Sequence, residues 1–117
     1  MRIMVTSEES DIESPIDPRF ARCKYVVIVD VESWEYEVVE NFDRGSIFYA
    51  GSRLAERLKK RGEVVLTFNM GPSALKILRE AGVEVVLGVR GTVKEAIENY
   101  ISQKLGKRSL EEKGIVK

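Results

Sequence analysis

Short apolar runs alternate with longer amphipathic stretches along the chain, in an order that predicts eight elements. Arg2 to Thr6 (RIMVT) reads as a first strand. Tyr25 to Val31 (YVVIVDV) is β-branched and nearly all apolar, as a strand covered on both faces should be. A polar turn from Glu32 to Glu35 leads to a third strand, Tyr36 to Asn41, and so short a turn predicts an antiparallel hairpin. From Ser46 to Arg61, Ile47, Ala50, Leu54, Ala55 and Leu58 recur at helical spacing, with Gly62 as the expected closing residue. Val64 to Phe68 is a fourth strand. The turn Asn69-Met70-Gly71-Pro72 then places proline at the first position of a second helix. That helix has Ala74, Leu75, Ile77, Leu78 and Ala81 on its apolar face and stops at Gly82. Val83 to Leu87 is a fifth strand. Thr92 caps a third helix, with Glu95 at the capping-box position and a stripe of Val93, Ala96, Ile97, Tyr100 and Ile101.

Three strands followed by alternating helices and strands predict an α/β domain with a five-stranded mixed sheet. Strands joined through helices are parallel, with right-handed crossovers, and the hairpin reverses strand two. The expected strand order is 3-2-1-4-5, with three helices on the sheet's faces. Residues 1–105 form this one domain, and the polar residues 106–117 (GKRSLEEKGIVK) are expected to be a loosely held tail.

The topology gathers several segments at one sheet edge. Residues 7–24 are a long stretch with Pro15 and Pro18 and no apolar period, and loops of that length are commonly functional. This loop should meet the 42–46 loop, the Asn69–Pro72 turn and the Gly88–Thr92 turn at the carboxyl edge, where open α/β sheets bind ligands. Three helix N-termini, near Ser46, Pro72 and Thr92, would offer free N–H groups to an anion. Candidate binding residues are Arg19, Arg22, Asn69, Gly71, Arg90, Gly91 and Thr92. Arg19 and Arg22 read equally as solvated loop charges, and Gly71 and Gly91 as turn formers before helices. Cys23 is the candidate metal ligand, as a thiolate whose pKa Arg22 and Lys24 would lower; its other reading is a small core residue. Trp34 falls beside the hairpin turn at the opposite edge, where it would cover apolar surface or make a subunit contact.

Composition narrows the chemistry. With 44% apolar residues there is enough for one core, yet no run approaches the roughly 20 residues that span a bilayer. The N-terminal MRIMVTSEES turns acidic too early for a signal peptide, which points to the cytoplasm. Nineteen basic residues balance nineteen acidic ones, so no broad nucleic-acid surface is expected. Histidine is absent, removing the commonest general base and metal ligand, and the chain is expected not to be an enzyme. A nuclease would need carboxylates around a metal, and RIMVT carries none, while Asp30 ends strand two at the far edge. The 32% charged residues, with few Asn and Gln, resemble the composition of proteins from hot environments.

Several motifs together resemble the dinitrogenase iron–molybdenum cofactor biosynthesis family of NifX-like carriers and cofactor-precursor synthase C-terminal domains. Ser14, Pro15 and Ile16 lead to Phe20-Ala21-Arg22-Cys23 and then Tyr25, where the family carries Phe-Gly-Arg-Ala before an aromatic residue. Asn69, Gly71, Pro72 and Ala74 match its Asn-x-Gly-Pro-x-Ala turn. Ala81, Gly82 and Val83 match an Ala-Gly-hydrophobic step, and Gly91, Thr92, Val93, Glu95 and Ala96 a helix start. The resemblance spans about residues 1–105 and implies a ribonuclease-H-like three-layer fold. It also implies a nitrogenase-accessory carrier or scaffold, binding an anionic iron–sulfur or iron–molybdenum cluster or its precursor. Its partners would be cluster donor and acceptor proteins, with no nucleic acid or membrane, and the chain a monomer or weak homodimer. The alternative is a metal-free interaction or regulatory module of the same fold. Departures from the pattern are Ala21 in place of glycine and the missing histidine, which leave Cys23 as the one strong soft ligand.

Overall fold

The structure is a computed structural model that describes residues 1–112, with side-chain surroundings through Lys104. The strands are β1 (Arg2–Ser7), β2 (Tyr25–Asp30), β3 (Tyr36–Glu40), β4 (Val64–Leu66) and β5 (Glu84–Val86). The helices are α1 (Ala50–Leu58), α2 (Pro72–Glu80) and α3 (Val93–Glu112). The sheet order is β3-β2-β1-β4-β5, with β2 antiparallel to both neighbours and β1, β4 and β5 parallel, as the hairpin and the helical connections require.

Alternation along β1 and β2 sends side chains to two cores. Met4, Val26 and Ile28 pack with Leu54, Leu58 and Leu78 beneath α1 and α2. Ile3, Val5, Val27 and Val29 pack with Val93 and Ile97 beneath α3. Both faces of the central strands are therefore covered, which is why RIMVT and YVVIVD need apolar residues at nearly every position. Burying a side chain of Leu or Ile size is worth about 1.5–3 kcal/mol, so these two layers carry most of the fold's stability.

Two helix ends match their sequence signals. Gly82 has φ +82, and Val83 N donates to Leu78 O (3.0 Å) while Gly82 N donates to Arg79 O (3.0 Å). That pairing closes α2 on its own last carbonyls and needs the left-handed residue that glycine supplies. At the start of α3, Thr92 N donates to Glu95 Oε1 (2.9 Å) and Glu95 N to Thr92 Oγ1 (3.1 Å), a reciprocal capping box.

Other boundaries depart from the sequence reading. α1 begins at Ala50, four residues after the expected Ser46, and Ile47 is 84% exposed instead of facing the core. The cause is Arg22, whose Nη1 donates to both Arg44 O and Ser46 O at 2.7 Å and holds the preceding segment in turns. Gly62 does not cap α1, which ends at Leu58 with Lys59 as its C-cap. A Cβ on Gly62 would lie 3.0 Å from Arg2 O and 3.0 Å from Met4 Cγ, so the glycine is there because β1 passes close. α3 runs to Glu112, beyond the expected start of the polar tail, in keeping with the helix-forming Lys, Arg, Leu and Glu of that stretch. Residues 113–117 of that expected tail lie outside the described residues.

Candidate functional site

The long loop after β1 is tied to the sheet edge by its own backbone. Asp17 N donates to Thr6 O (3.0 Å), Ile16 N to Gly91 O (2.9 Å), Asn69 N to Pro18 O (2.9 Å) and Phe20 N to Asn69 O (3.1 Å). Beneath it, Thr6 Oγ1 donates to Asp17 O (2.7 Å), leaving Thr67 Oγ1 to donate to Thr6 Oγ1 (2.8 Å). Phe20 and Ile16 insert into the two cores as anchors. The loop, the Asn69–Pro72 turn and the Gly88–Thr92 turn thus meet at the carboxyl edge.

That edge divides into a closed half and an open half. The closed half is the start of α3. Besides the capping box, Val93 N donates to Ser14 O (2.9 Å) and Lys94 N to Ile12 O (2.8 Å), so the first-turn N–H groups already have partners. Gly91 and Thr92 therefore shape the turn and cap the helix, and this N-terminus offers an anion nothing. Gly91 has φ +99, and a Cβ there would sit 3.1 Å from Glu95 Oε1, the capping carboxylate. Arg90 stacks its guanidinium over Phe68, 4.6 Å from the ring centroid.

The open half is formed by α1 and α2. Neither helix has a side-chain cap or an acidic residue in its first turn. Leu75 N donates to Gly71 O and Arg53 N to Tyr49 O, as the first intrahelical bonds of each helix. The N–H groups before them in each first turn find no intrahelical carbonyl, and Pro72 has no N–H to satisfy. The two first turns are adjacent, because a Cβ on Gly51 would lie 3.4 Å from Ala21 Cβ and 3.6 Å from Ala74 Cβ. Asn69 turns its side-chain oxygen onto Met70 N (3.0 Å) and joins Arg19 through a backbone bridge. Arg19 is 63% exposed in its side chain, with Nε 3.6 Å from Asp17 Oδ1, so its charge remains available at this rim.

Arg22 and Cys23 do not take the places expected of them. The Arg22 guanidinium is turned onto the Arg44 and Ser46 carbonyls and organises the 42–49 loop. Cys23 is fully buried in the core under α1 and α2. Its pKa is pushed up to about 12 from 9.0, first by burial and then by the Asp17 carboxylate, with Asn41 and Arg44 opposing. The expected lowering by Arg22 and Lys24 is overturned. One of these cations is engaged by backbone carbonyls, and the other lies exposed 5.7 Å from the Tyr25 ring. Among the described residues, no group of three or more His, Cys, Asp or Glu side chains could hold a metal ion.

Sequence reasoning brought the 42–46 loop to this edge but missed Asn41 and the exposed apolar side chains that follow it. Asn41 is buried, and its Nδ2 donates to Ala21 O (3.1 Å) and Cys23 O (2.9 Å), fixing the turn beneath the open half. Phe42, Ile47, Phe48 and Tyr49 are each more than two-thirds exposed beside it. Tyr49 stands in the left-handed region at φ 64, which an aromatic residue seldom adopts. A signal was present: four bulky apolar residues within eight positions, Phe42 to Tyr49, that no single helical face accommodates.

Such a fold and edge define a small α/β protein whose loops gather at one end of a mixed sheet. The chain belongs to the dinitrogenase iron-molybdenum cofactor family, whose sequence pattern matches residues 1–103. It is similar to the apo form of the orange protein from Desulfovibrio gigas, at 34% identity and a TM-score of 0.83, over 87% of this chain and 88% of that one. It is also similar to a putative NifB protein from Thermotoga, at 35% identity and a TM-score of 0.74, over 86% and 87% of the two chains. An uncharacterised protein of Methanocaldococcus jannaschii is 29% identical over 105 residues, 82% of this chain and 89% of that one.

Proposed function

We propose that this protein is a non-catalytic carrier that binds an anionic iron–sulfur or iron–molybdenum cluster, or its precursor, at the open half of the carboxyl edge. The observation that carries the reading is the meeting of two uncapped helix N-termini, those of α1 and α2, beside the exposed Arg19. Oriented N–H groups and a guanidinium suit a polyanion whose own sulfides accept hydrogen bonds. Family membership supports the choice of a metal–sulfur cargo. The donor set contains no exposed thiolate, so the cargo would be held by charge and hydrogen bonds, and its release would require no ligand exchange at cysteine.

The test is anaerobic titration with an iron–molybdenum–sulfur cluster, followed by absorption. Wild type and Cys23→Ala should bind alike, while Arg19→Glu should bind roughly tenfold more weakly, the loss of one charge-assisted contact and the gain of one repulsion. A wild type that produces no spectral change refutes the carrier reading. Loss of binding in a folded Cys23→Ala protein refutes the charge-only site. A second reading, a metal-free interaction module, draws on the exposed Phe42, Ile47, Phe48 and Tyr49. It predicts that replacing those residues abolishes partner binding in a protein that takes up no cluster.

A further inference from the structure

We propose that β3 is a pairing edge for a second copy of this chain, joined across a two-fold axis at Val38 into a ten-stranded sheet. The backbone sets the register. Asp30 N donates to Glu35 O and Asn41 N donates to Lys24 O, so Glu35 and Asn41 face β2 at either end of β3. By the alternation of an antiparallel ladder, Glu37 and Val39 face β2 as well. Tyr36, Val38 and Glu40 therefore turn their N–H and C=O groups outward. Those three positions are symmetric about Val38. A second β3 running antiparallel sets Val38 against Val38 and Tyr36 against Glu40, and all the outward groups find partners. An unprotected strand edge of this kind is a template for another strand.

The side chains agree with the same register. Glu37 falls opposite Val39 and Glu40 opposite Tyr36, so no two like charges face each other across the axis. Val38 and Tyr36, 37% and 44% exposed, lie on one face and would be covered together. Among the described residues, six of the eight exposed large apolar side chains fall between Tyr36 and Tyr49, on this strand and the loop after it. The ends are complementary in charge. The β2–β3 turn carries Asp30, Glu32 and Glu35 without a basic residue; in the loop beyond β3, Asp43 is paired with Arg53 and Arg57 of α1, which leaves the exposed Arg44 to face that turn. Antiparallel pairing sets each acidic turn beside the other copy's Arg44 loop. Antiparallel pairing also brings the exposed Phe42, two residues beyond β3, toward the other copy's β2–β3 turn. A five-residue ladder alone falls short of the roughly 1,200 Å² that standard interfaces bury. The loop contacts are therefore part of the interface, and the association is weak and concentration-dependent.

The experiment is sedimentation velocity over a concentration series on wild type, Val38→Lys and Val38→Glu, with far-UV circular dichroism to establish folding. Wild type should move from 13.3 kDa toward twice that mass as concentration rises. Each variant should remain monomeric, because the axis sets two like charges directly opposite one another. An equimolar mixture of the two variants should regain the dimer, since lysine then meets glutamate. A wild type that stays monomeric throughout overturns the proposal. So do variants that dimerise as well as wild type, and folded variants whose mixture fails to dimerise.

Discussion

Replacing Cys23 by alanine should flatten the alkaline limb of the stability profile. In the unfolded chain the thiol ionises near 9.0, and in the folded protein burial and Asp17 push it up to about 12. Between those values the unfolded chain has released the proton and the folded protein has kept it. The folded state then binds more protons, so stability falls as pH rises, and below pH 9 the thiol contributes no pH dependence. Within that window each rise of one pH unit removes about 1.4 kcal/mol, so by about pH 11 the wild type should have lost roughly 2–3 kcal/mol through this group. Whatever else ionises between those values is common to both proteins and cancels in their difference. The assay is urea denaturation of wild type and Cys23→Ala at pH 8 and at pH 11. The variant starts lower by about 1–2 kcal/mol for the missing sulfur, and the gap should close or reverse at the higher pH. A gap of the same size at both pH values would refute the burial of the thiol, and with it the exclusion of Cys23 from the binding edge.

Three further outcomes are expected. Gly62→Ala should destabilise the fold by about 1–3 kcal/mol in thermal or urea unfolding, because the new methyl group meets the Arg2 carbonyl and Met4 at 3.0 Å. A neutral result would mean that β1 and the α1–β4 connection separate freely. Thr92→Ala should cost about 1 kcal/mol by removing the hydroxyl that caps Glu95 N, and it should leave cluster uptake unchanged, since the start of α3 is already closed. Reduced uptake in the folded variant would reopen that half of the edge. Trp34→Ser should lower stability, because the ring packs on the core beneath α3, yet leave cluster binding intact at the opposite edge. Binding lost without unfolding would contradict the location of the site.

Periodicity was enough to read the eight elements, their order and the sheet topology. The reason is that each signal is local. Runs such as VVIV leave no solvent face, helical spacing in residues 74–81 makes one stripe, and the short turn after β2 forces antiparallel pairing. Gly82 and Thr92 were legible as helix ends for the same reason, since caps are made by neighbours in the chain. What only the tertiary structure decided depends on contacts between residues far apart in sequence. Arg22 reaches 22 and 24 positions along the chain to hold carbonyls, and so delays α1 and exposes Ile47. Gly62 is explained by β1, 60 residues earlier, and not by the helix it follows. The three helix N-termini looked alike in sequence. The loop at Ile12 and Ser14 closes one of them with its carbonyls and leaves the other two open. Cys23 shows the same division. Its basic sequence neighbours argue for a lowered pKa, while the apolar side chains folded over it raise that pKa, because desolvation acts through everything that surrounds a group in space.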